Sequence, residues 1–466
     1  MDEAFSDRIV SAEGIDGALG LAVGTLRLLR DESAAFRVEQ NQVADEQKAS
    51  LVDWSSRLAR DLRDVAAGPR DINSEDVLRV VDKTQPPTDV PALHVLRHLV
   101  LGIDEAFGAH FYALCVEYYR RRVGPLDTFD ARFAARLLSG DPVPVSYERR
   151  MEVRGNRRST SGSLIYEQLP YRVPHLTIAP EVPIGSEMVI DFRLADAWGQ
   201  QLTATIATCH PTTSLREFNY RQFPVTPIDE PTTIELAKKQ LDEAASQGAH
   251  VVLFPELVST PTIRAELLEY WLSQGPKGAA VLLPGTEHVH HADERLNIAM
   301  MLTIRDVQDG SATALVPEYV HKKFRAATDG DGVLVEDLTP QPVVLRLHVT
   351  PSLKVAVLIC RDFLEPAALH LVRTLEVDVL IVPAMTSQMD AFWGECEPLV
   401  RNVLTEVYIP NSLRCSVDGS GSAGILALPE EERPLRSLGG AARRPGVAVV
   451  DRQADSPVKW LETAVS

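Results

Sequence analysis

Apolar positions fall at helical spacing in the first part of the chain and at strand spacing in the last. Ile15, Leu19, Val23 and Leu26 recur three or four residues apart, and Leu51, Trp54, Leu58, Leu62 and Val65 repeat the pattern with charges between them. That period puts each set on one face of an amphipathic helix. A third run, from Ala92 to Val123, carries Leu93, Val95, Leu99, Phe107, Phe111, Leu114 and Tyr118, and reads as one long helix. Gly68-Pro69 and Gln85-Pro86-Pro87 punctuate these elements. The pattern predicts a helical N-terminal domain over 1–141 whose Trp, Phe and Tyr stripe faces a core.

From Pro142 the texture changes. Prolines become frequent, short segments such as Met188 to Leu194 run apolar in strand fashion, and Gly155 to Gly162 reads as an exposed loop. The stretch 142–201 is therefore expected to be a β-rich connecting region. After Leu202 strand-like and helical segments alternate. Strands are expected at 203–208, 251–254, 279–283, 297–303, 343–347, 355–359, 377–382, 407–409, 424–428 and 447–450, and helices at 233–248 and 262–272. Near-continuous apolar strands imply a sheet covered on both faces, and so an α/β domain over 202–466.

Composition narrows the function classes. A chain of 466 residues exceeds what one ordinary core organises, so two or more domains are expected. The formal net charge of −18 repels a phosphate backbone, which makes nucleic acid a poor partner. The basic runs Arg120-Arg121-Arg122 and Arg149-Arg150 read as solvated helix ends. The five cysteines (Cys115, Cys209, Cys360, Cys396 and Cys415) are odd in number and lack CxxC spacing, which argues against a disulfide framework and a structural zinc site. No apolar run approaches the ~20 residues that span a bilayer, and the acidic start has no signal-peptide core. A cytoplasmic protein with no membrane association is expected, with Cys360 a free thiol.

Three segments carry candidate chemistry. Val355 to Ile359 is an apolar strand that ends on Cys360, with Arg361-Asp362 directly after it. Val251 to Phe254 ends the same way on Pro255-Glu256, and His321-Lys322-Lys323 follows the strand-like Ser311 to Val316. A strand end is where many enzymes present a nucleophile. A thiol of ordinary pKa ~8.5 is mostly protonated at neutral pH, so it needs a base to take its proton and a cation to favour the thiolate. Glu256 and a neighbouring lysine are the right residue types. His288, His290 and His291 invite a metal reading, but they lie in the polar stretch Glu287 to Glu294, which reads as a solvated loop with no matching ligand cluster.

Over roughly residues 202–450 the sequence resembles the carbon–nitrogen hydrolase (nitrilase-like) superfamily. The resemblance rests on Phe254-Pro255-Glu256, His321-Lys322-Lys323 and Ile359-Cys360-Arg361-Asp362 in that order, with 66 residues from Glu256 to Lys322 and 38 from Lys322 to Cys360. Asn297, Val382-Pro383-Ala384 and Asn411 before the glycine-rich Asp418 to Gly424 support it. The resemblance implies a nitrilase-like α-β-β-α sandwich behind the helical domain. It also implies a Glu-Lys-Cys triad of Glu256, Lys322 and Cys360, a homo-oligomer, and no cofactor or metal. Lys323 remains the alternative to Lys322, since adjacent residues of an extended chain face opposite ways. Glu336 stands where the family has a second, substrate-positioning glutamate, although its surroundings depart from the family pattern and a solvated loop reads equally well. Arg361 stands where an aromatic or small residue is usual, and either attracts an acidic substrate or is solvated. The function implied is hydrolysis of a non-peptide carbon–nitrogen bond, amide before nitrile, through a thioester on Cys360. The alternatives are acyl transfer to an amine, or a non-hydrolytic sensor whose N-terminal helices engage a protein partner.

Overall fold

A computed structural model of the chain describes residues 12, 15–66, 68, 72–123, 133–145, 169–195, 205–212, 217–219, 223–274, 279–303, 338–339, 343–386, 389–412, 422–429, 435–438, 444–451 and 458–464. The fold is mixed α/β and forms two compact units, Met1–Met151 with Ser161–Val182, and Glu152–Thr160 with Pro183–Ser466. The stretch 142–201, read from sequence as a connecting region, is divided between the two.

In the first unit, α1 (Gly17–Asp31), α2 (Ser33–Gln40), α3 (Asp45–Val65), α4 (Ser74–Thr84), α5 (Ala92–Phe107) and α6 (Phe111–Val123) enclose one apolar core. Leu19, Val23, Leu26, Leu51, Trp54, Leu58 and Leu62 are all buried, as their spacing predicts. Val65, the last member of the second stripe, is 59% exposed because α3 ends there. Asn73 caps α4 by accepting from the Asp76 amide at 2.9 Å. The run Ala92–Val123 is not one helix. Phe107 leaves helical geometry (φ −131, ψ 3) and a 3-10 turn at Gly108–His110 separates α5 from α6. Among the described residues this run alone is long and apolar enough to cross a membrane, but half of an apolar 18-residue stretch of it is buried within the protein. Three short strands, β1 (Pro142–Pro144), β2 (Arg172–Val173) and β3 (Leu176–Ile178), form an antiparallel sheet in the order β1-β3-β2.

The second unit holds two larger sheets. One runs β4 (Ser186–Asp191), β11 (Val343–Val349), β12 (Lys354–Val357), β13 (Val379–Ile381), β14 (Glu406–Pro410), β15 (Gly424–Ala427), β16 (Leu435–Ser437), in that spatial order. In it β12, β13 and β14 are parallel. The other runs β10 (Leu302–Thr303), β7 (Val281–Leu283), β6 (Val251–Leu253), β5 (Ile206–His210), β17 (Gly446–Val450), β18 (Val458–Glu462), with β5, β6 and β7 parallel. Helices α7 (Glu230–Ser246) and α8 (Pro261–Ser273) bury Leu241, Leu267 and Trp271 against Ala207, Val252 and Leu282 of this second sheet. The start of α7 precedes its apolar pattern because Asp229 accepts from the Thr232 amide at 3.0 Å and Pro231 occupies the first turn. Helices α9 (Pro366–Thr374) and α10 (Asp390–Val403) complete the unit's described helices.

The histidine-rich stretch is not a loop: β8 (Thr286–His291) and β9 (Glu294–Ala299) pair as an antiparallel hairpin, with His288 opposite Asn297. Burial explains it, since His288 is 6% exposed, accepts from the Val225 amide at 3.0 Å through Nδ1, and stacks on Phe223. The single strand expected over 297–303 is likewise split, because β9 belongs to the hairpin and β10 joins the sheet beside β7.

Candidate active site

Parallel strands bring their C-terminal ends to one edge of a sheet, where α/β proteins place ligands. In the second sheet that edge carries Glu256. Strand β6 is buried on both faces, and Phe254 still pairs across to Leu283, its amide donating to that carbonyl at 2.9 Å. The chain then turns sharply, with Leu257 at φ 60, a left-handed conformation that costs a branched residue about 1–3 kcal/mol. The turn is held from β8: the Leu257 amide donates to Thr286 Oγ1 at 3.0 Å. Gly285 (φ 93) allows the close approach, since a Cβ there would lie 2.7 Å from the Pro255 carbonyl oxygen and 2.6 Å from Val258 Cγ2. Glu256 is fully buried, and its Oε1 accepts from Asn297 Nδ2 at 2.8 Å. A buried carboxylate needs such donors to remain ionised.

The first sheet delivers Cys360. Beyond β12 the ladder to the neighbouring parallel strand continues, with the Leu358 amide on the Ile381 carbonyl at 3.0 Å and the Cys360 amide on the Pro383 carbonyl at 2.9 Å. Cys360 itself has φ 47 and opens a helical turn (Cys360–Leu364) that runs into α9. A strand that breaks directly into a helical turn through a strained residue holds a side chain up at the sheet edge, as a nucleophile elbow does. Cys360 is 4% exposed. Asp362 is buried in the same turn, its amide closing onto the Ile359 carbonyl at 2.9 Å, while Arg361 is exposed.

One short segment joins the two halves. After β13, the Pro383 carbonyl accepts from the Cys360 amide, and the next carbonyl, that of Ala384, accepts from the Glu256 amide at 3.4 Å. Glu256 and Cys360, which are 104 positions apart in sequence, thus hang from consecutive carbonyls of one extended stretch. The segment is in turn held by β14, with the Ala384 amide on the Pro410 carbonyl at 2.8 Å and an isolated bridge from Ala384 to Asn411. The structure therefore ties the backbones of Glu256 and Cys360 to one segment, and Arg361, exposed, follows Cys360 in its turn. Lys322, Lys323 and Glu336 lie outside the described residues.

The other described cysteines differ in environment. Burial pushes the thiols of Cys115, Cys209 and Cys396 up, with Glu243 adding to the effect at Cys209 and Glu395 at Cys396. Thr286 and the Pro383 and Ala384 carbonyls are absent from the sequence-level reading as site groups. The Pro284-Gly285 pair directly after β7 is the one local signal that could have drawn attention to Thr286. Among the described residues no group of three or more His, Cys, Asp or Glu side chains forms a metal site.

No protein-family model matches the sequence, and no curated protein matches it. Solved structures do. An amidase from Nesterenkonia sp. is 15% identical with a TM-score of 0.40, over 53% of this chain and 90% of that one. A double mutant of the amidase from Nesterenkonia sp. AN1, in complex with acrylamide, is 14% identical with a TM-score of 0.41, over 55% of this chain and 92% of that one. A further mutant of that amidase, described as from the nitrilase superfamily, is 15% identical with a TM-score of 0.39, over 53% of this chain and 90% of its own. The chain is thus similar, over about half its length, to an amidase of the nitrilase superfamily. At those values the likeness carries no chemistry, which rests on the residues themselves.

Proposed function

We propose that this chain hydrolyses a non-peptide carbon–nitrogen bond, an amide in preference to a nitrile, through a thioester on Cys360. In this reading the second unit is an α-β-β-α sandwich and its triad is Glu256, Lys322 and Cys360. The observation that supports it most is the pair of hydrogen bonds placing the Cys360 and Glu256 amides on the consecutive carbonyls of Pro383 and Ala384. Glu256 takes the thiol proton as sulfur adds to the amide carbon. Charge that develops on the carbonyl oxygen is stabilised by Lys322 and by the backbone N–H of Arg361, in the first turn after the nucleophile. The carbon–nitrogen bond breaks as Glu256 returns the proton to the departing amine. A water deprotonated by Glu256 then adds to the thioester carbon, and the carbon–sulfur bond breaks as Glu256 returns that proton to the Cys360 sulfur and the acid is released. Glu336 and the Arg361 side chain are placed at the substrate end of this reading, and a cytoplasmic homo-oligomer is its setting.

Intact-protein mass spectrometry after incubation with a panel of short aliphatic amides and nitriles tests it. The expected result is a mass increase equal to the acyl group, mapped to Cys360, with release of ammonia and neither signal in Cys360→Ala. Acylation of another cysteine would overturn the reading. Binding without turnover would favour a sensor, and with hydroxylamine added as an acyl acceptor, acyl-hydroxamate formation at the expense of free acid would favour acyl transfer.

A further inference from the structure

His210 ends β5 and is fully buried. Its Nδ1 lies 2.7 Å from the Asn411 carbonyl oxygen and its Nε2 lies 3.1 Å from Thr208 Oγ1. A carbonyl can only accept, so Nδ1 carries a proton and donates it. Burial pushes the ring down to about 4, so it is neutral near pH 7 and Nε2 accepts from the Thr208 hydroxyl. The tautomer is set by its two neighbours, and the ring has one orientation that satisfies both.

Asn411, also fully buried, passes that orientation on. Its Nδ2 donates to the Thr386 carbonyl at 2.9 Å and the Ser422 carbonyl at 2.6 Å, and its Oδ1 accepts from the Thr386 amide at 2.9 Å. Its backbone amide donates to Ala423 at 2.9 Å, while its backbone oxygen takes the His210 proton. Gly424 permits this packing: at φ 142 a Cβ would lie 2.0 Å from the Ile409 carbonyl oxygen and 3.2 Å from the Asn411 nitrogen. Every polar group of Asn411 is engaged. Its side chain closes a ring with Thr386, and its bridge to Ala384 fixes the start of the same stretch.

We infer that His210 and Asn411 are positioning residues for the cysteine chemistry: they clamp the Pro383–Thr386 segment, whose two carbonyls set where Cys360 and Glu256 stand relative to each other. Neither residue touches the reacting atoms. The inference rests on the roles proposed above for Cys360 and Glu256, and it names what holds those two in register. A well-packed site loses rate steeply when reacting groups move, about 10²-fold for a misplacement near 1 Å.

The test compares His210→Leu with His210→Gln. A glutamine amide can donate to Asn411 and accept from Thr208, whereas leucine fills similar space and does neither. Three readouts are taken: kcat and KM on the amide that acylates the protein, the rate of Cys360 alkylation by iodoacetamide followed by peptide mapping, and the thermal midpoint. His210→Leu should lose kcat by about 30- to 100-fold with KM within about threefold, and alkylate about tenfold more slowly. His210→Gln should stay within about threefold of wild type on every rate. Equal losses in the two variants, or wild-type rates in folded His210→Leu, would overturn the inference. If His210→Leu does not fold, Thr208→Val removes only the hydroxyl that orients the ring. That variant should slow alkylation in the same direction, and an unchanged rate would count against the clamp. Absence of turnover in the wild-type protein would remove the proposed function, while the alkylation comparison would still decide the role of His210.

Discussion

Asn297 offers a way to separate geometry from charge at Glu256. Its Nδ2 stands 2.8 Å from Glu256 Oε1 and its side chain is buried. A hydrogen bond to an ionised group contributes about 1.5–3 kcal/mol, and about 1.4 kcal/mol is a tenfold change, so Asn297→Ala should lower kcat/KM by about 10- to 150-fold. Asn297→Asp keeps the shape and replaces the donor with a second carboxylate. Two unit negative charges 2.8 Å apart repel by about 6 kcal/mol at an effective dielectric constant of about 20. That exceeds four powers of ten, so the pair would hold one proton at neutral pH. A carboxylate that shares a proton cannot take one from the thiol, and Asn297→Asp should fall at least about tenfold below Asn297→Ala. It should also recover as pH rises and the shared proton leaves, which Asn297→Ala should not. The assay is kcat/KM for both variants between about pH 6 and pH 9, with circular dichroism to show that they are folded. If the two variants track each other across that range, or if Asn297→Asp works like wild type, Glu256 is not the base.

Further predictions concern backbone, thiol, pH and boundary. Gly285→Ala must push the Glu256 turn away from a contact of 2.7 Å and adopt φ 93, so it should cost about 1–3 kcal/mol of stability and at least about tenfold in kcat, and an unaltered unfolding midpoint and rate would show that the turn yields freely. Iodoacetamide under native conditions should label Cys360 ahead of Cys115, Cys209 and Cys396, whose thiols burial keeps protonated; preferential labelling of any of those three on peptide mapping would contradict this. His210 binds a proton at 6.5 when unfolded and at about 4 when folded, so the unfolded state holds more protons between those values and stability should fall by about 3 kcal/mol as pH drops through that window. Urea titrations should show that fall flattened in His210→Gln, and an equal slope in both proteins would refute it. A chain beginning at Pro183 should fold as a unit, whereas one beginning at 202 loses β4 and leaves Arg346 without Asp191, its partner at 3.1 Å. Losing that partner should cost about 3–5 kcal/mol, which sedimentation and thermal melting of the two fragments would reveal.

Local periodicity settles most elements of this protein. The stripes through α1 and α3, the apolar runs of β6, β12 and β13, and the strand-end positions of Glu256 and Cys360 can all be read from spacing. Each follows from the need of a single segment to bury one face or both, and that need is written into neighbouring residues. The failures have one cause. Glu287 to Glu294 looks like a solvated loop because its residues are polar, yet β8 and β9 supply each other's backbone partners, and Phe223 and the Val225 amide cover His288. Ala92–Val123 looks continuous because its apolar stripe does not stop where the backbone turns at Gly108–His110. The attachment of Glu256 and Cys360 to one segment belongs to the same class. It is made by the carbonyls of Pro383 and Ala384, and every residue type carries a carbonyl, so a sequence does not show which one will be used. Likewise, the single orientation of His210 depends on Asn411, 201 residues away, and it exists only once the end of β5 has met the end of β14, a strand of the other sheet.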